Sequence, residues 1–127
     1  MTQSECVTLI DEFTRAWVAG DVDFLMELMS GDCEFRASVG PEPGTSFVGR
    51  EAVRRGFERY LGSVGPDRPK SETETLPLLV GPDFAVTRWI VRTEASDGNL
   101  DVVHGCDVFE FEGDRIRLKD TYRKVAA

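Results

Sequence analysis

The sequence predicts an α+β domain in which three N-terminal helices pack in a strongly curved, mainly antiparallel sheet, leaving a pocket between the two layers. Three observations carry this expectation. Apolar residues recur at helical spacing in three stretches before residue 62, and four strand-like runs follow from Glu72 onward. Those runs are separated by short turn sequences, Gly81-Pro82-Asp83, Asp97-Gly98 and Gly113-Asp114, and turns this short join only antiparallel neighbours. Helices first and strands afterwards is the order of an α+β fold with its helices on one face of the sheet.

The first helix is expected from Thr2, with Cys6, Ile10, Phe13 and Trp17 on one face and Thr2 and Glu5 forming a capping box. Gly20 ends it, and Asp21 caps a second, short helix with Val22, Leu25, Leu28 and Met29 on its apolar side, stopped by Gly31-Asp32. Cys33 to Val39 alternates Cys33, Phe35 and Ala37 against Glu34, Arg36 and Ser38, which predicts a half-buried strand with the first set facing the core. Gly40 to Gly49, interrupted by Pro41 and Pro43, reads as an irregular, mobile loop that could serve as a lid. A third helix carries Val53, Phe57, Tyr60 and Leu61, weakened by Gly56, and Gly62 to Pro69 is another loop. Strands are then expected over 72–80, 84–94, 100–111 and 115–125, with Pro77 marking an edge or a bend in the first.

Length and charge bound the function. The 127 residues fit one domain spanning 1–127, since single domains most often run to roughly 100–150 residues. Fifteen basic against 23 acidic residues leave a formal charge of −8, which disfavours nucleic acid or an anionic membrane as partner. The longest uncharged run, Thr75 to Pro82, is eight residues, far short of a membrane span. The first residues lack the basic start and apolar stretch of a secretory signal, so the chain reads as cytoplasmic. Cys6, Cys33 and Cys106 are odd in number and without C-x-x-C spacing, which points to free thiols. One histidine, His104, cannot build a metal site, and no metal or cofactor is expected.

The last hairpin carries the most chemistry. Gly105, Asp107, Phe109 and Phe111 share one face of their strand, and the phenylalanines mark it as the inner one. Asp107 then points inward, where a carboxylate must find a partner or take up a proton. On the next strand Ile116, Leu118, Asp120 and Tyr122 read as the inner set, with Arg117, Lys119, Thr121 and Arg123 outside. With a two-residue turn and regular pairing Asp107 faces Asp120, and two close carboxyls would keep one proton between them. A one-residue bulge would instead bring Lys119 beside Asp107 as a buried ion pair. Both registers are open at this stage. His104 and Cys106 fall on the outward face, where a thiol and its base lack a third orienting group. The basic run Arg115, Arg117, Lys119, Arg123 and Lys124 reads as cross-strand pairing with Glu110 and Glu112.

These residues bring a family into view. Phe13 to Leu28 (FTRAWVAGDVDFLMEL), Cys33 to Gly44 (CEFRASVGPEPG), the helix opening Val48 to Val53 and above all Gly105 to Ile116 (GCDVFEFEGDRI) resemble the nuclear transport factor two-like superfamily, in its ketosteroid isomerase and SnoaL-like cyclase branch. The resemblance spans nearly the whole chain and implies a cone-shaped sheet around three helices, a deep apolar pocket and a homodimer. It implies an acid at Asp107, the position of the protonated aspartic acid that isomerases keep in their oxyanion hole. The position of their general base is Ala37 here, and two of their tyrosines correspond to Phe13 and Phe57. Asp120 is the nearest match to the acid that SnoaL-like cyclases and limonene epoxide hydrolases place on the last strand, one residue closer to Ile116 than their spacing. The hydrolases also need an arginine between two acids, and Arg88 and Arg92 fall on the outward set of their strand.

The reading that follows is a pocket for a small apolar molecule, lined by Phe13, Trp17, Phe35, Ala37, Phe57, Trp89, Val91, Phe109 and Leu118. As an enzyme it would isomerise or cyclise a carbonyl compound without a cofactor, with protonated Asp107 stabilising an enolate and Asp120 moving the proton. The alternatives are a non-catalytic ligand-binding or dimerisation module, in which Asp107 pairs with Lys119, and an epoxide hydrolase.

Overall fold

A computed structural model describes residues 1–61 and 71–125. Three helices, α1 (Gln3–Ala19), α2 (Val22–Glu27) and α3 (Arg50–Leu61), and seven strands alternate in the order α1-α2-β1-β2-α3-β3-β4-β5-β6-β7. The strands are β1 (Met29–Arg36), β2 (Ser46–Val48), β3 (Ser71–Thr75), β4 (Leu79–Val80), β5 (Phe84–Glu94), β6 (Leu100–Glu112) and β7 (Arg115–Arg123). They form one curved, unclosed sheet in the order β2-β1-β7-β6-β5-β3, with β4 also pairing β5. All pairs are antiparallel except β1 with β7. The expected α+β architecture is therefore present.

Local chemistry explains the helix ends. Thr2 and Glu5 exchange both capping-box hydrogen bonds, at 3.1 and 3.2 Å, and Gly20 closes α1 in the left-handed region. The Asp21 carboxylate accepts from the Phe24 amide to start α2. One apolar cluster joins the three helices to the concave face of the sheet through Ile10, Phe13, Leu25, Val53, Phe57, Cys33, Phe35 and Phe109. Gly56 belongs to that packing: a Cβ there would lie 2.8 Å from the Phe47 ring and 3.1 Å from that of Phe35. The helix tolerates a poor helix former because the sheet approaches it there.

Three expected boundaries need correction. The second helix does not reach Met29; β1 begins there, and the Arg50 guanidinium donates to the Met26 and Met29 carbonyls, both at 2.8 Å, tying the end of α2 to the start of the strand. The stretch Gly40 to Gly49 is not wholly irregular, because Ser46–Val48 pairs with Glu34–Arg36 and the Ala37 and Thr45 amides donate to Thr45 and Val39 carbonyls. The strand expected over 72–80 is broken in two around Pro77, which has no amide to donate. The loop expected over 62–69 lies outside the described residues.

Candidate functional site

Between the helices and the concave face of the sheet lies a partly open cavity of about 270 Å³. Period-two alternation aims Thr87, Trp89 and Val91 of β5 and Asp107 and Phe109 of β6 into it, while α1 supplies Phe13 and Trp17 and the β1 segment Phe35 and Ala37. Phe57 and Leu118, expected in the same wall, are not among its lining residues. Phe57 stands behind it as fully buried core, its ring 5.5 Å from Trp17 and 5.1 Å from Phe35.

Asp107 is the centre of the polar part. Its Oδ2 accepts from the Trp89 indole at 3.1 Å and from the Thr87 hydroxyl at 3.3 Å. Its Oδ1 accepts from the Lys119 ammonium at 2.9 Å and from the Thr121 hydroxyl at 2.5 Å. Lys119 also donates to Thr121 Oγ1 at 2.8 Å, and its Nζ sits 4.2 Å from the Trp17 ring centroid and 4.9 Å from that of Phe35. The side chains of Lys119 and Asp107 are only 5% and 13% exposed, so the pair is desolvated. Lysine and indole are donors only, so both carboxyl oxygens act as acceptors.

The Trp89 contact depends on Gly105, which stands directly opposite it on β6. A Cβ on Gly105 would lie 2.2 Å from the end of the indole, so the ring lies across the glycine and reaches Asp107 two residues along the strand.

The hairpin register differs from regular two-residue-turn pairing. Phe111 faces Ile116 and Glu110 faces Leu118, so Arg117 is an extra residue, and its guanidinium pairs with Glu110 at 2.5 Å on the outward side. Beyond the bulge Phe109 faces Lys119 and Asp107 faces Thr121. Lys119 and Thr121 are therefore inward, and Leu118 and Asp120 outward, the reverse of the expected sets. Asp107 and Asp120 do not meet. Asp120 instead accepts from the Tyr122 hydroxyl at 3.0 Å and lies 3.5 Å from Arg36, and that hydrogen bond, followed by the charge of Asp120, pushes the Tyr122 phenol up. Lys119 reaches Asp107 diagonally across the strands rather than from the directly opposite position.

Arg88 and Arg92 face outward as expected, paired across the sheet with Cys106 and Val102; Arg88 donates to the Pro77 carbonyl and Arg92 to Glu74. Cys106 shares that outward face, and burial, followed by the charges of Asp107 and Asp120, pushes its thiol up. An activated nucleophile needs the opposite shift. Alkylation of Cys106 by iodoacetamide is accordingly expected to be slower at pH 7.5 than that of a free cysteine, with a rate still rising above about pH 9. Peptide mass spectrometry across pH measures it.

The cavity is also lined by residues not placed there from the sequence: Thr14, Val18, Ser38, Tyr60, Thr73, Thr75, Thr87 and Thr121. Thr87 could have been found, because it falls two residues before Trp89 on the same face. Thr121 could not, since only the bulge turns it inward.

Three helices seated in a curved, unclosed sheet define the class of domain. Residues 10–118 match the SnoaL-like domain family, and the chain belongs to that family. Solved structures agree on the fold. An NTF2-like protein of unknown function from Mesorhizobium loti superposes with a TM-score of 0.74 at 24% identity, covering 96% of this chain and 93% of that one. The epoxide hydrolase/cyclase-like enzyme SalBIII, with a role in pyran ring formation in the polyether salinomycin, gives 0.73 at 17% identity, covering 97% and 92%. RV0760c from Mycobacterium tuberculosis, solved in complex with estradiol-17beta-hemisuccinate, gives 0.70 at 17% identity, covering 95% of each. Among curated sequences, a mitochondrial branched-chain-amino-acid aminotransferase of Mus musculus is 37% identical over 68 residues, 54% of this chain. The matched stretch spans only 14% of that aminotransferase's length.

Proposed function

We propose that the chain is a small-molecule binding protein that holds one largely apolar molecule in the cavity, with Asp107 as a fixed, paired carboxylate rather than a proton donor. The observation that carries this is the saturation of Asp107 by Thr87, Trp89, Lys119 and Thr121, which uses the carboxyl oxygens as acceptors and leaves no O–H for a substrate. The volume supports it as well, since an apolar cavity of about 150 Å³ holds benzene and this one has about 270 Å³. That a protein of the same fold is seen with a steroid ester adds support from fold alone. Tryptophan fluorescence tests the proposal, because Trp17 and Trp89 both line the cavity. Saturable quenching by tetralin is expected, weakened about tenfold or more by Thr73→Trp, which plugs the cavity from the exposed edge strand. Quenching that never saturates, or that Thr73→Trp leaves unchanged, would sink it.

Cofactor-free isomerisation or cyclisation of a carbonyl compound is the second reading, favoured by the position of the charged pair in the cavity wall. The two-acid version is not available to it, because Asp120 faces away. Epoxide hydrolysis has less support, since both candidate arginines face outward.

We further propose a homodimer through the outward sheet face. Half-buried Ile90 and Val108 and exposed Val102 and Tyr122 support it as apolar positions on a face that also carries Arg88, Arg92 and Glu110. A cytoplasmic setting belongs to the same proposal, supported by three free thiols. Among the described residues no helix is long and apolar enough to cross a membrane.

A further inference from the structure

We infer that Lys119 is the ligand-anchoring residue of the cavity, and that its ammonium selects a neutral molecule bearing an acceptor oxygen over an anion of similar shape. The inference rests on the reading of the cavity as a binding site. An ammonium has three N–H donors and no acceptor. Lys119 spends one on Asp107 Oδ1 and one on Thr121 Oγ1. Among the described residues the third has no hydrogen-bonding acceptor, only the ring faces of Trp17 and Phe35. A charged group 95% buried, on the wall of a cavity and with one N–H facing only aromatic rings, is placed to donate to a ligand oxygen.

The same site rejects negative charge. Asp107 and Lys119 are the two charged residues among those described as lining the cavity, and they cancel. A carboxylate would find no second cation there and would add negative charge inside a chain already at −8. A ketone or ether oxygen takes the free N–H and leaves the balance intact. Asp107 cannot compete for that proton, because its Oδ1 already receives Lys119 and Thr121 and its Oδ2 receives Trp89 and Thr87.

The experiment compares three probes of similar size on the full chain, 1-tetralone, tetralin and 1-naphthoate, by tryptophan fluorescence. The ketone is expected to bind at least tenfold more tightly than the hydrocarbon and than the carboxylate. In Lys119→Met the preference for ketone over hydrocarbon should fall to within about twofold while tetralin still binds. Because Lys119→Met strips Asp107 of its partner and can fail to fold, the carbonyl stretch of carbon-13-labelled tetralone on the unmodified protein gives a second readout. It is expected to move to lower wavenumber than in hexane. Tetralone binding no tighter than tetralin, or with an unshifted carbonyl, overturns the role of Lys119 and leaves the binding site standing. Naphthoate binding as tightly as tetralone overturns the selection for neutral ligands, and failure of all three probes overturns the site and the inference together.

Discussion

Replacing Lys119 with methionine is expected to destabilise the chain by about 3–5 kcal/mol, the usual cost of stripping one partner from a buried ion pair. The size follows from burial. Asp107 is 13% exposed, and it would keep three uncharged donors, Thr87, Trp89 and Thr121, but lose the only cation on the cavity wall among the described residues. Hydrogen bonds to neutral groups do not cancel a desolvated charge. Methionine fills much the same space, so little of the loss comes from packing. At roughly 2–8 °C per kcal/mol for domains of this order of size, the melting temperature should drop by about 10 °C or more. Circular dichroism melts check it, with Lys124→Met as the exposed control expected within about 0.5 kcal/mol of the parent.

The second large effect is expected at Gly105. A methyl group there would stand 2.2 Å from the Trp89 indole and 2.7 Å from the Tyr122 carbonyl oxygen. The indole can move and the backbone carbonyl cannot, so Gly105→Ala displaces Trp89 and breaks its bond to Asp107. Overpacking of this kind costs about 1–3 kcal/mol, and the loss of a hydrogen bond to a charged group adds about 1.5–3. The variant should melt earlier and show red-shifted tryptophan emission as the ring becomes wetter. Gly31→Ala, where nothing lies within 4 Å of the new Cβ, should do neither.

How much of this was legible in the sequence varied with how local the determining physics is. The starts of α1 and α2 follow from side chains a few residues apart, Thr2 with Glu5 and Asp21 with Phe24, and were readable from the string alone. The long strand Phe84–Glu94 and the inward aim of Asp107 followed from period two. The strand Ser46–Val48 was not readable, since three residues between glycines and prolines carry no period. The bulge at Arg117, one of the two registers left open, could not be chosen from the sequence for a different reason. β7 lies between β1 and β6, and Leu118 is buried on the outward face opposite Glu110, so an apolar residue there no longer reports the inner side. Reading Ile116 and Leu118 as one face turned Lys119 outward and put Asp120 in its place. One extra residue thus separated an acid dyad from an ion pair.

The central claim is that Asp107 and Lys119 act as a single paired unit in the cavity wall. A double-mutant cycle of Asp107→Asn, Lys119→Met and the two combined, followed by urea unfolding, measures that coupling directly. The pair as described predicts a coupling of about 1–3 kcal/mol, with the combined variant more stable than Lys119→Met alone because no charge is left buried without a partner. Additivity within about 0.5 kcal/mol, with Asp107→Asn alone leaving stability unchanged, would contradict it and return Asp107 to the role of a free acid.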